Sequence, residues 1–498
     1  MKKIYPIEWK HSHPKKMATK TDRYYTDIAN KVLNILSISK FETILPNADL
    51  LRDMALSLTL WFEDICSNLG FWKVATETFQ KRYGKPLPFY DTSEYYQGEP
   101  NPQDIQLLLW DMLQAWQDDE FINPESSNII LVAKEIYKLF QQEYEYAPET
   151  QEMQQYLANP LIGVDYWQTR QVIEWLSTFG YFNMRSQTSR ATILAKILEE
   201  SNESEDDDEE YYQPLIYSVS ISHTFNDRHN LLSITTPEWL SAAINRPFTL
   251  DTTYLKNKLY SIGKLSDTTL QLQDETNKNI FPIEIDSFTS KWFKEYKNKQ
   301  GCLISCGIVK FNEKYYQCGM LISDIHSKDN ILKDIQEQEY NHQIGITNNE
   351  LFKRVSNGMP ILFMKGVKET MDFYTKKVKF KKTIELEHQV KNLIYNYAEN
   401  HPIAIMGTKD QGFLTITSNV PAINAPNNPY YNADFAKKHA LCFFIDPNVI
   451  DYEAACLLSQ LGYLSDATIS SSKGYEYGRN LLQNNAQFVL DYMFAEHL

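Results

Sequence analysis

Apolar residues recur at helical spacing as far as residue 198 and at alternate positions from about residue 258. EESNESEDDDEE, residues 199–210, stands between the two regimes. A period near 3.6 belongs to helices and a period of 2 to strands, so no single layer of secondary structure accommodates both stretches. The acidic run holds nine acids and no base. Like charges at that density repel one another and resist compaction, which makes the run a solvated linker. With 498 residues, the chain also exceeds what one core usually holds. The expectation is a multidomain α+β protein. It comprises an all-α helical domain (1–198), an acidic linker (199–213), a small β-barrel-like module with flanking helices (214–326) and an α+β domain (327–498).

The helical half carries readable ends. DIANKVLNIL puts Ile28, Val32, Leu33 and Leu36 on one stripe. NADLLRDMALSLTLWFEDICSNLG reads as one long helix ended by Gly70. In NPQDIQLLLWDMLQAW, Asn101 is the N-cap, Pro102 the first helical residue and Asp104 part of the first turn. Asn123-Pro124 repeats the device before IILVAKEIYKLFQQEY, and further helices are expected near 164–178 and 187–200. Beyond the linker, KLYSIGKL, TTLQLQD, NIFPIEI, CLISCGIVKF and KYYQCGMLI are short strand-like runs separated by DETNKN, FNEK and similar turn residues. Five such strands in succession suit a small barrel, with Trp239 and Trp292 as anchors on helices beside it. The last part mixes helices (KDNILKDIQEQEY, ELEHQVKNLIYNYAEN, NLLQNNAQFVLDYMF) with strands (PILFMKG, PIAIMG, GFLTITS).

Charge and cysteine content narrow the function classes. The formal net charge is −15, and a negative body repels phosphate backbones at long range. The six cysteines lie in apolar contexts without disulfide-scaffold spacing, as reduced thiols of a cytoplasmic protein would. MKKIYPIEWKHSHPKK lacks the apolar core of a secretory signal, and no segment is long and apolar enough to span a membrane. The phosphate-loop, dinucleotide-loop, nucleophile-elbow and HExxH patterns are absent.

Several clusters hold chemistry in principle. WFEDICSNLGFW, residues 61–72, sets Glu63 and Asp64 at the border of an apolar helical stripe beside Trp61. A carboxylate pressed against such rings has a raised pKa and suits proton transfer, if a second titratable group or a water is within reach. Glu339/His342 and Glu385/His388 have the Glu-x-x-His spacing of carboxylate-bridged metal sites. Cys302, Cys306 and Cys318 with His326 are a conceivable zinc set, but i and i+4 on a strand lie about 13 Å apart. HTFNDRH gathers His223, Asp227, Arg228 and His229 in a polar corner. FMKGVKETMDFYTKKVKFKK, residues 363–382, intersperses seven lysines with Phe363, Phe373, Tyr374 and Phe380, a pattern of phosphate-and-stacking surfaces and equally of a solvated helix face.

KKIYPIEWKHSHPKK, TDRYYTDIANKVLNIL, FEDICSNLGFWKVATETFQKRYGKPLPFY and PNPQDIQLLLWDML resemble segments of a family of bacterial proteins catalogued as a domain of unknown function (number 3843). The resemblance covers roughly the first 200 residues. KYYQCGML and APNNPYYNADFAKKHA are similar to C-terminal parts of such proteins. It implies a bacterial cytosolic protein, supplies no catalytic residue, and places WFEDICSNLGFW and YGKPLPFYD in one unit. A loop LPFYD folded back over the Glu63–Asp64 helix would bring Trp61, Glu63, Asp64, Tyr90 and Asp91 together as a binding pocket.

No cofactor and no metal is expected. The leading expectation is a non-catalytic interaction or scaffold protein with a protein partner and no membrane association. The alternatives are a hydrolytic enzyme with a carboxylate-lined pocket in the helical domain, with or without metal assistance, and nucleic-acid binding through 363–382.

Overall fold

The computed structural model describes the chain except residues 1–2, 40–47, 118–119, 182–189, 197–198, 200–208, 229–230, 257, 324, 326–346, 380–399, 410–411 and 496–498. The architecture is α+β: a helical N-terminal region, a closed five-stranded barrel in the middle and an α+β region at the C-terminus. The chain divides into two compact units, Met1–Lys333 and Asp334–Leu498.

The first unit begins with α1 (Pro6–His11) and α2 (Asp22–Ile38), whose stripe Ile28, Val32, Leu33 and Leu36 is buried as its spacing requires. Helix α3 (Ala48–Ser67) carries WFEDICS, and α4 (Phe71–Tyr83) follows at once. Gly70 does not end α3. Asn68 makes the left-handed turn at φ 48°, and Gly70 at φ 94° is the N-cap of α4. Its backbone lies so close to the carbonyl of Ala243 that a Cβ would stand 3.2 Å from that oxygen.

Helix α5 (Pro102–Gln114) opens with a complete capping box between Asn101 and Asp104. Helix α6 (Ser127–Tyr144) starts differently from the expectation. Ser126 is its cap, accepting from the amide of Ile129, while Asn123 spends its side chain on the amide of Glu125 in the turn before. Further helices of the unit include α7 (Gln151–Leu157), α8 (Tyr166–Phe179), α9 (Glu209–Asn226) and α10 (Thr236–Ala243), and residues 190–196 are helical where a helix near 187–200 is expected. The last two acids of the acidic run thus begin a helix.

The barrel uses the five alternating runs of the sequence. They are β2 (Lys258–Leu265), β3 (Thr269–Asp274), β4 (Ile280–Glu284), β5 (Leu303–Phe311) and β6 (Lys314–Ile322). The strands pair in the order β5-β2-β3-β4-β6, and β5 returns to pair with β6, which closes the sheet. All pairs are antiparallel except β4–β6. A short β1 (Leu250–Asp251) is added outside β5. Helix α11 (Ser290–Tyr296) lies between the third and fourth barrel strands, and Phe288, Trp292 and Tyr296 stack in succession at 4.7 and 5.1 Å to join the barrel core. Trp292 is thus an anchor of the barrel, whereas Trp239, on α10, packs on Phe71 of the helical region.

The fifth barrel strand thus sits between the third and the fourth, and a helix follows the third strand. Strand β5 is buried on both faces, inside by the barrel and outside by residues 252–255. Gly307 makes that cover possible, since a Cβ there would stand 2.3 Å from the carbonyl oxygen of Leu255. Tyr316 of β6 stacks on Tyr166 of α8 at 4.1 Å, and the guanidinium of buried Arg170 reaches Tyr217, Glu174 and the Cys318 thiol.

The second unit is built on a three-stranded antiparallel sheet of β7 (Ile361–Met364), β8 (Ile403–Thr408) and β9 (Gly412–Ile416), in that order. Phe352, Met364, Phe373, Tyr374, Ile403 and Ile405 form its core. NLLQNNAQFVLDYMF is two helices, Tyr475–Gln483 and Ala486–Met493, separated at Asn484 and Asn485.

Candidate functional site

Both acids of WFEDICSNLGFW are buried, with relative exposures of 1% for Glu63 and 3% for Asp64. A bare carboxylate cannot sit there, so each must be matched by donors. Glu63 accepts from His13 Nε2 at 2.9 Å and from the Thr150 hydroxyl at 2.5 Å. Having donated to Glu63, the Thr150 hydroxyl accepts from Thr21 at 2.9 Å, and the Thr150 amide donates to Ser67. His13 lies in the N-terminal arm, Thr21 caps α2, Glu63 is on α3, and Thr150 precedes α7. One carboxylate therefore fastens four segments. Burial lowers the affinity of His13 for a proton, but the attraction of Glu63, its hydrogen bond and Asp22 outweigh it, and the imidazole pKa lies above 6.5.

Asp64 serves the next helix. Its oxygens accept from the amides of Phe71 at 3.3 Å and Trp72 at 2.6 Å, the first turn of α4, and from the Tyr181 hydroxyl at 2.5 Å. Burial pushes its carboxyl up to about 6 against the pull of these donors. A negative group at a helix N-terminus is also favoured by the peptide dipoles there. Trp61 is fully buried, its ring 5.9 Å from Trp72 and 5.8 Å from Phe140.

The space beside the two acids is small. A cavity of about 30 Å³ is lined by His13, Glu63, Asp64, Trp175, Tyr181 and Trp239, among others. That volume suits a water, not a substrate. Second titratable groups exist after all, in His13 and Tyr181, but they close the site instead of opening it.

Tyr90 and Asp91 have other partners. The Tyr90 hydroxyl donates to the carbonyl of Pro124 at 3.0 Å from a buried position, and exposed Asp91 accepts from the amide of Ser93. The structure thus does not bring LPFYD onto Glu63 and Asp64 as expected. Residues just beyond LPFYD do line a cavity. A groove of about 390 Å³ runs between α4 and residues 84–98, bordered by Glu77, Gln80, Lys81, Pro86, Thr92, Tyr95 and Gln97, with Thr76 at its base. Under it, Trp72 Nε1 donates to the Tyr95 hydroxyl at 3.2 Å, and Tyr95 in turn hydrogen-bonds Asp104. Burial raises the Asp104 carboxyl to about 7, against hydrogen bonds from Tyr95 and Asn101.

The other sequence clusters separate. His223 pairs with Asp227, and Arg228 holds the carbonyl of Ser233, a salt-bridged corner; His229 lies outside the described residues. So do both Glu-x-x-His pairs and His326. Cys306 enters the barrel core, Cys318 meets Tyr166 and Arg170, and Cys302 is half-buried at the strand end. Among the described residues no three His, Cys, Asp or Glu side chains gather as a metal site.

In the basic stretch, Phe373 and Tyr374 belong to the core of the second unit and Phe363 is half-buried, while Lys365, Lys368, Lys376, Lys377 and Lys379 point outward. The stacking platform expected of a nucleic-acid surface is therefore turned inward, with Phe380 outside the described residues. A depression there of about 330 Å³ mixes Lys365 and Lys368 with Glu369 and Asp372. The free wall of the barrel, on β3 and β4, presents Gln271, Gln273, Ile280 and Pro282, with neither an aromatic ring nor a cation among them. Among the described residues, no helix is long and apolar enough to cross a membrane.

His13, Thr150 and Tyr181 are the partners that sequence reasoning missed. They stand 50, 87 and 117 residues from the carboxylates they bind, beyond any local spacing rule. No curated protein and no solved structure matches the chain. The family model described as "Protein of unknown function (DUF3843)" matches residues 3–304 and 312–495, nearly the whole chain, and the chain belongs to that family.

Proposed function

We propose that the protein acts by binding, as an interaction or scaffold protein of the bacterial cytoplasm, and not by catalysis. The observation that supports this is the use made of Glu63 and Asp64. The two acids most suited to chemistry spend their lone pairs on His13, Thr150, Tyr181 and the start of α4, around a space of water size. Groups committed in this way organise a core. A protein partner is the expected ligand. The test is native mass spectrometry of the full chain purified gently from its own host. A complex of fixed stoichiometry with another protein is the expected result. A chain that stays alone and hydrolyses ester, amide or glycosidic substrates would refute the reading.

One observation favours a second reading, a hydrolytic enzyme. Asp104, with a pKa near 7, sits behind Tyr95, and Tyr95 borders the open groove. A carboxyl poised near neutrality suits proton transfer. On that reading Asp104→Asn abolishes a hydrolysis whose rate changes through pH 7.

A further inference from the structure

The groove between α4 and residues 84–98 is independent of the sealed carboxylates, and its lining sets uncharged polar side chains, one acid and one lysine around a tyrosine and a proline. The segment leaves α4 at Gly84 (φ 75°) and turns again at Gly98 (φ 86°), left-handed positions that glycine adopts at little cost. Between them it lays Pro86, Thr92, Tyr95 and Gln97 opposite Gln80 and Lys81 of the helix.

Tyr95 is half-buried and held from below, because its hydroxyl meets Trp72 and Asp104. Its ring is thus presented to the groove in a fixed orientation. Among the described residues the side chains of Gln80, Lys81, Thr92 and Gln97 have no hydrogen-bond or ion-pair partner in the protein, so each is available to a ligand. Glu77 pairs with Lys73 at 3.9 Å, which leaves Lys81 as the one cation of the lining.

Each alternative occupant fails on a specific requirement. A nucleic acid needs several cations along the phosphates, and the lining offers one. A peptide strand added by main-chain pairing needs a free sheet edge, and the groove, set between a helix and a loop, has none. Amides and a hydroxyl donate and accept equally well, which matches a ligand dense in hydroxyl groups. An aromatic face beside a proline takes the C–H face of a sugar ring. The volume of about 390 Å³ lies within the range of small-ligand sites.

We propose that this groove binds a neutral oligosaccharide, laid on Tyr95 and Pro86 and hydrogen-bonded by Gln80, Thr92 and Gln97. The site stands whether or not a protein partner docks elsewhere on the chain.

The test is saturation-transfer NMR of the full-length protein with millimolar maltohexaose, cellohexaose, xylohexaose and chitohexaose, each titrated in turn. Transfer from at least one of them is expected. The double variant Gln80→Ala/Gln97→Ala should weaken it roughly tenfold, the scale of two neutral hydrogen bonds. Its unfolding temperature should stay unchanged, because neither side chain has a partner to lose. No transfer from any of the four sugars, or equal affinity in the double variant, overturns the proposal. So does a groove that takes up a short peptide or oligo-dT with the same sensitivity to Gln80 and Gln97.

Discussion

Replacing Glu63 by alanine isolates the contact that ties four segments of the helical region together. The substitution removes the acceptor of His13 Nε2 and of the Thr150 hydroxyl, both buried. An orphaned buried polar group costs about 1–3 kcal/mol, and breaking a buried charged pair about 3–5 kcal/mol in all. Against a total stability of about 5–15 kcal/mol, the expected loss is roughly a third to a half. For a unit of this size about 2 °C of midpoint follows each kcal/mol, so calorimetry should find unfolding about 6–10 °C lower.

The pH dependence gives the sign. The His13 pKa is raised in the folded state, so its contribution is complete below the unfolded value of 6.5 and is lost as pH rises through the higher folded value. The gap between the natural chain and Glu63→Ala should therefore be widest between about pH 5 and 6.5 and narrower at pH 9. Glu63→Gln, which still accepts from Thr150, should fall between the two. A loss under about 1 kcal/mol, or a gain in stability, would refute the structural role of Glu63. It would instead identify a carboxylate retained at a cost to the fold, as functional groups often are.

Asp64→Ala strands two amides of α4 and the Tyr181 hydroxyl, and denaturant titration should show a loss of about 3 kcal/mol. Asp104 has a raised folded pKa, so its contribution is present in acid and lost as pH rises through about 7. Asp104→Asn does not titrate there, and its midpoint relative to the natural chain should improve from pH 5 to pH 8. Gly307→Ala would drive a Cβ to 2.3 Å from the Leu255 carbonyl, so about 3 kcal/mol or more should be lost, read by circular dichroism of thermal unfolding.

The barrel strands were legible because a period of 2 bounded by turn residues is a local signal, and all five runs became strands. That they would form a small barrel was legible too, but their order in it was not, since the parallel pairing of β4 with β6 joins segments with α11 and β5 between them. Asn101 read correctly because a capping box spans three residues. Asn123 misled because a turn intervenes, and the cap passed to Ser126. The alternation of lysines and rings in 363–382 held two meanings until the sheet showed which side faced the core. Glu63 and Asp64 stood out by bordering an apolar stripe, yet their role depended on His13, Thr150 and Tyr181, which only the folded chain brings near.

The clasp of His13 with Glu63 and Thr150 has a bearing on how the chain is made. The arm is synthesised ahead of one of its fasteners, which comes 137 residues later. At about 5–20 residues per second, the arm waits roughly 7–30 s before it can seat. During that interval Trp9, which ends fully buried against Tyr25, lacks the lock that Glu63 and Thr150 together place on the arm. The tryptophan-bearing arm thus joins the helical region in full only after Thr150 has been made.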